Sequence, residues 1–409
     1  MTNRRNFLKS ALAGSAALAA SSAMALPTDR PVKFDETYDV IVVGAGGSGL
    51  AAAAHAAEKG LKVLILEKMA FPGGSSAICG GGSLVVGTDL QKKAGEKDSN
   101  ELLFKDIIET GGGLNNQDVV HAFVDNHLSV YDWFMGLGGK PQSDLLFASV
   151  SANRGVEIEP NSVLKACLDH AKKHGAKLLV STQARRLAYD QKTKRIVGVF
   201  AEKDGKTVSF GAKKGVILAS GGFARNKDLL AKYVPRMAKT LTICGKGCDG
   251  DGLKMALAYG ADVVDMPYIK ATFAFNTDPH SINDSHYTYW EGGIVVNKAG
   301  KRFVDESIPK KDVGDHVLEQ EGGIGYCVYD EPTRKISLKT ARNNGSVLES
   351  EERGLVFKGD TVEEAAQKAA EKAAEAQEKA EEAQRAAEMA KDAAQAAAEA
   401  AEASNQAAA

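Results

Sequence analysis

One short turn, Gly44-Ala45-Gly46-Gly47-Ser48-Gly49, constrains this chain more than any other feature. A continuous apolar run of strand length, Tyr38 to Val43, leads into it. A small-residue helix, Leu50 to Lys59, leads out and is stopped by Gly60. A second strand then runs from Lys62 to Leu66 and ends at Glu67. These pieces make a complete βαβ opening of about 30 residues. Gly44 permits the tight turn, Gly46 lets the backbone approach a pyrophosphate, and Gly49 lets helix and strand pack closely. The helix N-terminus offers N–H groups and a positive dipole end to the phosphates. Glu67 is placed to accept hydrogen bonds from the ribose hydroxyls of an adenosine.

Glycine recurs well beyond this turn. The chain has 42 glycines in 409 residues, above the usual share of about 7%, and they stop near Gly359. Directly after Glu67-Lys68 comes Phe71-Pro72-Gly73-Gly74-Ser75-Ser76, then Gly80-Gly81-Gly82-Ser83. Such a loop adds N–H groups and hydroxyls to the same dinucleotide, at a point where nicotinamide domains usually run straight into another helix. Whether that dinucleotide is a nicotinamide or a flavin is the next question. Ser220-Gly221-Gly222-Phe223 and Gly250-Asp251-Gly252 are further glycine turns suited to close backbone approach. Arg195 to Glu202 and Val208 to Ser220 read as strands, and Asn161 to His174 and Gly252 to Tyr259 as helices. The middle of the chain is thus α/β, and the stretch after about Pro267 is mainly α+β.

The two ends differ from this body. Arg4-Arg5-Asn6-Phe7-Leu8-Lys9, an apolar run to Ala20 and Ala23-Met24-Ala25 form the pattern of a twin-arginine export signal cleaved after Ala25. That pattern implies the twin-arginine export machinery as a partner and the periplasm as the destination. The run is shorter than the roughly 20 apolar residues of a membrane span. From Thr361 onward the chain is almost wholly Ala, Glu, Lys and Gln, with Met389 its one sizeable apolar residue after Val362. Helix propensity is high there, but there is no face to bury, so a solvated, partly helical tail without chemistry is expected. Lys+Arg 51 against Asp+Glu 53 argues against a general nucleic-acid binder. Cys244-Gly-Lys-Gly-Cys248 has no second pair or histidine cluster to complete a zinc site, so a core or incidental role is expected for it ahead of a metal or redox one, and no metal centre. No Cys-x-x-Cys-His is present, so the chain carries no c-type haem of its own.

From about Tyr38 to Val356 the chain resembles the soluble fumarate reductase/succinate dehydrogenase flavoprotein family, in particular its exported bacterial members. The resemblance is carried by the Gly44 to Gly49 loop, Glu67-Lys68, Gly73-Gly74-Ser75-Ser76, Ser220 to Phe223 and Gly250-Asp251-Gly252. It continues through Gly293-Ile294-Val295-Val296-Asn297 and Gly300-Lys301-Arg302-Phe303-Val304-Asp305-Glu306. It implies an FAD site built from Gly44, Gly46, Ser48, Gly49, Glu67, Lys68, Gly74, Ser75, Ser76, Gly81, Gly82, Ala184, Ser220, Gly221 and Asp251. Ala184 would contact the adenine through its backbone. No histidine stands in the loop around Ser75 and Ser76, so the FAD would be non-covalent. In that family the flavin delivers hydride to a polarised C=C bond, and a cap-domain arginine donates the proton. The electrons would come from an external donor such as a c-type cytochrome.

The chain departs from the family in the cap. The family's His-Pro-Thr stretch falls at Thr272-Phe273-Ala274, its Thr-Glu pair near Ser285-His286, and its proton-donating arginine at Lys310 or Lys311. A lysine can donate a proton but lacks the planar guanidinium fork. Another unsaturated acid or a ketone is therefore expected in place of fumarate, with Thr272, His286 and Tyr287 as substrate contacts. Phe273, Phe275, Tyr289 and Trp290 serve either as pocket walls or as ordinary packing. The family-like text fades after Tyr326 to Pro332, where relatives close with a glycine-rich return segment.

The expected fold is α/β: a Rossmann-like FAD-binding domain with an α+β capping domain and an alanine-rich helical tail. The expected layout is a signal at 1–25, a linker at 26–36, the FAD-binding domain at 37–266, an incomplete cap at 267–358 and the tail at 359–409. The function expected is C=C reduction next to a carboxylate or carbonyl. Alternatives are a ketosteroid dehydrogenase-like desaturase using Tyr287 or Tyr289 as acid/base, and a truncated flavoprotein without activity.

Overall fold

The computed structural model describes residues 33–144, 146–238, 240–276, 287–339 and 344–361, with scattered positions between 364 and 389. The export signal, His286 and most of the alanine-rich tail lie outside the described residues; the described positions between 364 and 389 are helical. The chain divides into two units, residues 1–238 with 242–268, and residues 239–241 with 269–409.

The first unit runs β1 (Glu36–Val43), α1 (Gly47–Glu58), β2 (Val63–Leu66), β3 (Gly82–Leu84), α2 (Asp89–Ala94), α3 (Asn100–Thr110) and α4 (Gln117–Gly136). It continues through β4 (Phe147–Ser149), β5 (Ala152–Glu157), α5 (Pro160–Lys173), β6 (Lys177–Leu179), β7 (Thr182–Asp190), β8 (Arg195–Lys203) and β9 (Lys206–Leu218). Two short helices, α6 (Lys227–Tyr233) and α7 (Asp251–Leu257), complete it. The second unit contains β10 (Ile294–Val296), α8 (Lys310–Leu318), β11 (Tyr326–Val328), α9 (Glu331–Ser337) and α10 (Asn344–Glu352).

The core of the first unit is a six-stranded sheet of order β6-β2-β1-β9-β8-β7. Its first four strands are parallel, and β7, β8 and β9 form an antiparallel meander. Both faces are covered, which is why β1 and β2 read as unbroken apolar runs and not as alternating ones. Val40 and Val42 face a cluster with Leu50, Ala53 and Ala57 of α1 and with Leu164, Cys167 and Ala171 of α5. Ile41 and Val43 face the opposite cluster with Leu187, Val199, Phe210 and Met255. Each large apolar side chain so buried contributes roughly 1.5–3 kcal/mol.

Helix α1 starts at Gly47, three residues before the start expected from sequence. Gly46 is its N-cap in extended conformation, so the glycines taken for loop are its first turn. Gly44 has φ +106°, and a Cβ there would lie 2.4 Å from the Ala219 carbonyl oxygen. Only glycine fits that corner.

A second, three-stranded sheet of order β3-β5-β4 carries Arg154, whose side chain is wholly buried. Its guanidinium donates to Asp98 (Nη2–Oδ1 2.7 Å, Nε–Oδ2 2.9 Å) and to Asp106 (Nη1–Oδ2 2.6 Å), tying β5 to α3 and its approach. Burial opposes the Asp106 charge, but hydrogen bonds from Ser151 and Arg154 outweigh it and hold the pKa below the usual carboxylate value.

In the second unit β10 and β11 pair antiparallel, Val295 opposite Cys327. Val295 shares a core with Tyr289, Val304 and, from one face of α8, Val313 and Val317. The buried Glu306 carboxylate accepts from the Val295 N–H at 2.7 Å and pairs with Arg302. Among the described residues no helix is long and apolar enough to cross a membrane.

Candidate functional site

Most helices of this chain close their own N-termini. Thr88, Ser99, Asn116, Glu159, Asn226 and Asp330 each accept a hydrogen bond from the first turn of the helix they precede. Helices α7 and α8 have no side-chain cap but carry Asp251 and Asp312 in their first turns, and α1 has neither. Its N-cap is a glycine with no side-chain cap, and its first turn carries no acid. The positive end of a helix dipole is thus left for a ligand anion.

Around that end the fold gathers four separate stretches of chain. Gly44 packs under the Ala219–Ser220 backbone. The Gly47 N–H donates to Ser76 Oγ at 3.1 Å. Gly46 lies beneath Gly73 and Gly74, and a Cβ on Gly46 would meet Gly73 O at an ordinary 3.8 Å. A Cβ on Gly49, by contrast, would sit 2.0 Å from the Gly44 carbonyl oxygen, so this glycine sets the helix-to-strand spacing. Glu67 is buried at the end of β2; its Oε2 accepts from Ala45 N at 2.9 Å and its Oε1 from Met69 N at 2.8 Å. The carboxylate therefore braces the turn, and each oxygen keeps a second lone pair for a ribose hydroxyl.

Lys68, Asp249, Asp251 and Gln183 form a network that the sequence did not announce. Lys68 Nζ contacts Asp249 Oδ1 at 2.6 Å and Asp251 Oδ2 at 3.0 Å, and Gln183 Nε2 donates to Asp251 Oδ2 at 2.7 Å. Burial works against the Lys68 ammonium, but the two carboxylates more than offset it and raise its pKa. Burial likewise opposes the Asp251 carboxylate, while hydrogen bonds from Gln183 and Lys68 hold its pKa low. Asp251, Ala184, Leu187, Met255 and Tyr259 border one depression.

The remaining residues of the expected FAD set are placed as follows. Ser48 is exposed in the first turn of α1. Gly221 has φ +77° and faces Cys248 Sγ, and Ser220 packs against Gly252. Ser75 accepts from Gly245 N at 3.0 Å. Gly81 meets a requirement of the protein itself: a Cβ there would lie 2.0 Å from the Ile158 carbonyl oxygen. Gly82 pairs with Glu157 in the small sheet. The uncapped α1, the open approach over Gly46 and the carboxylates flanking the cleft fit a dinucleotide such as FAD.

The expected catalytic and substrate residues belong to the second unit. Lys310 opens α8 with Nζ 5.8 Å from the Tyr287 ring centroid and 5.6 Å from that of Trp290. Those two rings stack at 4.5 Å. Lys311 turns to its own helix and pairs with Asp312 at 3.2 Å and Asp315 at 3.0 Å. The adjacent lysines therefore have different environments. Thr272 lies against Gly314 of α8, and its buried Oγ1 finds no hydrogen-bond partner among the described residues. Tyr289 is core, with its hydroxyl donating to Phe273 O at 3.1 Å and burial raising its pKa. Together with Trp290, Glu306, Ser307 and Ile308 it lines a cavity beside the start of α8.

Comparison with known proteins places the chain among FAD-binding flavoproteins. The chain is 30% identical over 306 residues to fumarate reductase (cytochrome) of Shewanella frigidimarina, covering 73% of this chain and 53% of that protein. It is 32% identical over 351 residues to urocanate reductase of Eggerthella lenta, covering 82% and 57%. The solved open conformation of a flavocytochrome c3 fumarate reductase superposes with a TM-score of 0.67 at 26% identity, over 82% of this chain and 58% of the other. The chain thus spans about half the length of the curated relatives it matches. The model of the FAD binding domain family matches residues 39–391, and the chain belongs to that family, with FAD as its cofactor.

Proposed function

We propose that the chain is an exported FAD-dependent oxidoreductase that reduces a C=C bond conjugated to a carboxylate or carbonyl. The observation that carries the reading is the uncapped, acid-free N-terminus of α1, set among Gly44, Gly46, Ser76 and Glu67. When bound, FAD supplies the two-electron chemistry. Gly46 and the first-turn N–H groups of α1 would hold its pyrophosphate and Glu67 its ribose, with Ser75 and Asp251 as further contacts. Lys310 is the proton donor, its ammonium held against the Tyr287 and Trp290 rings. Thr272 and Tyr287 would contact the substrate. Relatives that reduce fumarate and urocanate support an unsaturated acid as substrate. An external one-electron carrier such as a c-type cytochrome would supply the electrons. The Arg4-Arg5 signal supports twin-arginine export to the periplasm.

Tyr287 and Tyr289 are the candidate acid/base tyrosines of the desaturase alternative, Tyr289 being the one whose hydroxyl donates to Phe273 O. The test is direct. The purified full chain should keep flavin absorption through gel filtration, and the reduced protein should be reoxidised by urocanate, fumarate or acrylate. Loss of flavin on the column would sink the enzyme reading. Reoxidation by none of the acids, with reduction of the flavin by a ring ketone instead, would favour the desaturase.

A further inference from the structure

The spacing of the strap Cys244-Gly245-Lys246-Gly247-Cys248 favours a core or incidental role over a metal or redox one, and the structure folds its two cysteines onto one turn. The Cys248 N–H donates to Gly245 O at 3.0 Å, closing a turn that folds Cys248 back toward Cys244. Cys244 Sγ lies on the same turn, 3.6 Å from the Gly245 O that closes it. Arg225 fixes one end, donating to Cys244 O through Nε at 3.1 Å and Nη2 at 2.8 Å. Cys248 Sγ is fixed at the other end, 3.1 Å from Ser75 Oγ. A Cβ on Gly221 would be 3.3 Å from the same sulfur, so glycine leaves room for it. Both sulfurs are free thiols here; Cys248 is buried and Cys244 partly exposed.

We propose that Cys244 and Cys248 are a reversible redox site, a dithiol that closes to an intramolecular disulfide by exchange with a small soluble disulfide. The partly exposed Cys244, as thiolate, attacks the external disulfide, and one small thiol leaves. Cys248, after losing its proton, attacks Cys244 Sγ of the mixed disulfide and expels the second small thiol. Two protein thiols are oxidised by two electrons, and one external disulfide is reduced to two thiols. Burial, and after it the neighbouring Cys248, pushes the Cys244 thiol up to about 11, while the Arg225 guanidinium works the other way. Exchange is accordingly slow at neutral pH, and either state persists once formed. Closure removes the Cys248 S–H and turns its sulfur toward Cys244, so the contact with Ser75 Oγ changes and the strap bordering Gly74 and Ser75 is re-set. The proposal rests on the strap's geometry alone and holds whatever substrate the protein reduces.

The experiment uses the full chain, reduced, desalted and treated with oxidised glutathione under native conditions, then alkylated and digested with trypsin. Lys246 lies between the two cysteines, so cleavage there leaves them on separate peptides, 240–246 and 247–254. The expected result is that these peptides run joined, lighter by two hydrogens than their sum, and separate after reduction. The exposed Cys79 should carry a glutathione adduct in the same digest, showing that oxidant reached the protein. In Cys248→Ser the joined species should vanish and Cys244 should stop at the glutathione adduct. Cys79 modified while Cys244 and Cys248 both remain alkylatable would overturn the proposal, as would either cysteine joined to Cys79.

Discussion

Gly46 and Gly49 stand three residues apart in one motif, and the structure assigns them different physical duties that a pair of alanine substitutions separates. In Gly49→Ala the new Cβ is 2.0 Å from the Gly44 carbonyl oxygen and 3.1 Å from its carbon. Both are backbone atoms and cannot rotate away, so α1 must move off the sheet. Overpacking of this kind costs about 1–3 kcal/mol or more. For a unit of this size that lowers the melting temperature by about 3–10 °C. In Gly46→Ala the nearest atom is 3.8 Å away and φ is −81°, so alanine is accommodated. The stability change should stay within about 1 kcal/mol, the weaker N-cap preference of alanine being offset by a stiffer unfolded chain. The same methyl group occupies the space over which a pyrophosphate must approach. Losing about 1.4 kcal/mol or more of binding there weakens FAD at least ~10-fold. The assay is thermal unfolding of the apoprotein by circular dichroism, beside an FAD fluorescence titration. Gly46→Ala binding FAD like the wild type, or melting as early as Gly49→Ala, would refute the division of labour.

Other predictions follow from the ion pairs. Arg154→Met leaves Asp98 and Asp106 buried without their cation and should cost about 3–5 kcal/mol in urea unfolding; a loss below about 1 kcal/mol would contradict the burial seen here. Asp251 has a folded pKa below its unfolded value of 3.8, so its contribution to stability is complete above that value and is lost as pH falls through the folded pKa. Asp251→Asn should therefore flatten the fall in stability of the apoprotein between about pH 5 and about pH 3, and an unchanged slope would count against the network. Lys310→Met should slow substrate-driven flavin reoxidation by about 10²–10⁴-fold. Lys311→Met, which disrupts only pairs with Asp312 and Asp315, should leave it within about twofold. Equal effects would remove the assignment.

The βαβ opening was legible because three independent signals, the apolar runs, the glycine spacing and the terminal Glu67, agree over a short stretch. Its helix start was misplaced because Gly47 and Gly49 look like loop, although they are the turn that a phosphate needs. Helix α4 went unread for a different reason: Val119, Phe123 and Val130 are exposed while His127 is buried, accepting from Val86 N at 3.0 Å, so the polar and apolar faces are mixed. The small sheet was invisible because its most buried strand residue is an arginine. The partners of Lys68 and Cys248 come from chain positions more than 170 residues away, and no local pattern encodes such pairs. Lys310 and Lys311 could not be ranked from sequence because one helical step decides which of them meets the rings.

The floor of the cofactor turn has a consequence for the order in which this protein can be made. Gly44 rests on Ala219, and β1 finds its parallel partner in β9, Ile41 opposite Val216. The opening strand of the nascent chain must therefore wait while some 175 residues follow it out of the ribosome. Closing so long a loop adds little free energy relative to a shorter one, but it delays the contact and leaves apolar β1 unpaired on one side meanwhile. A nascent chain halted before β9 would carry the whole glycine motif and still lack the surface it turns on, so FAD loading must follow the emergence of β9.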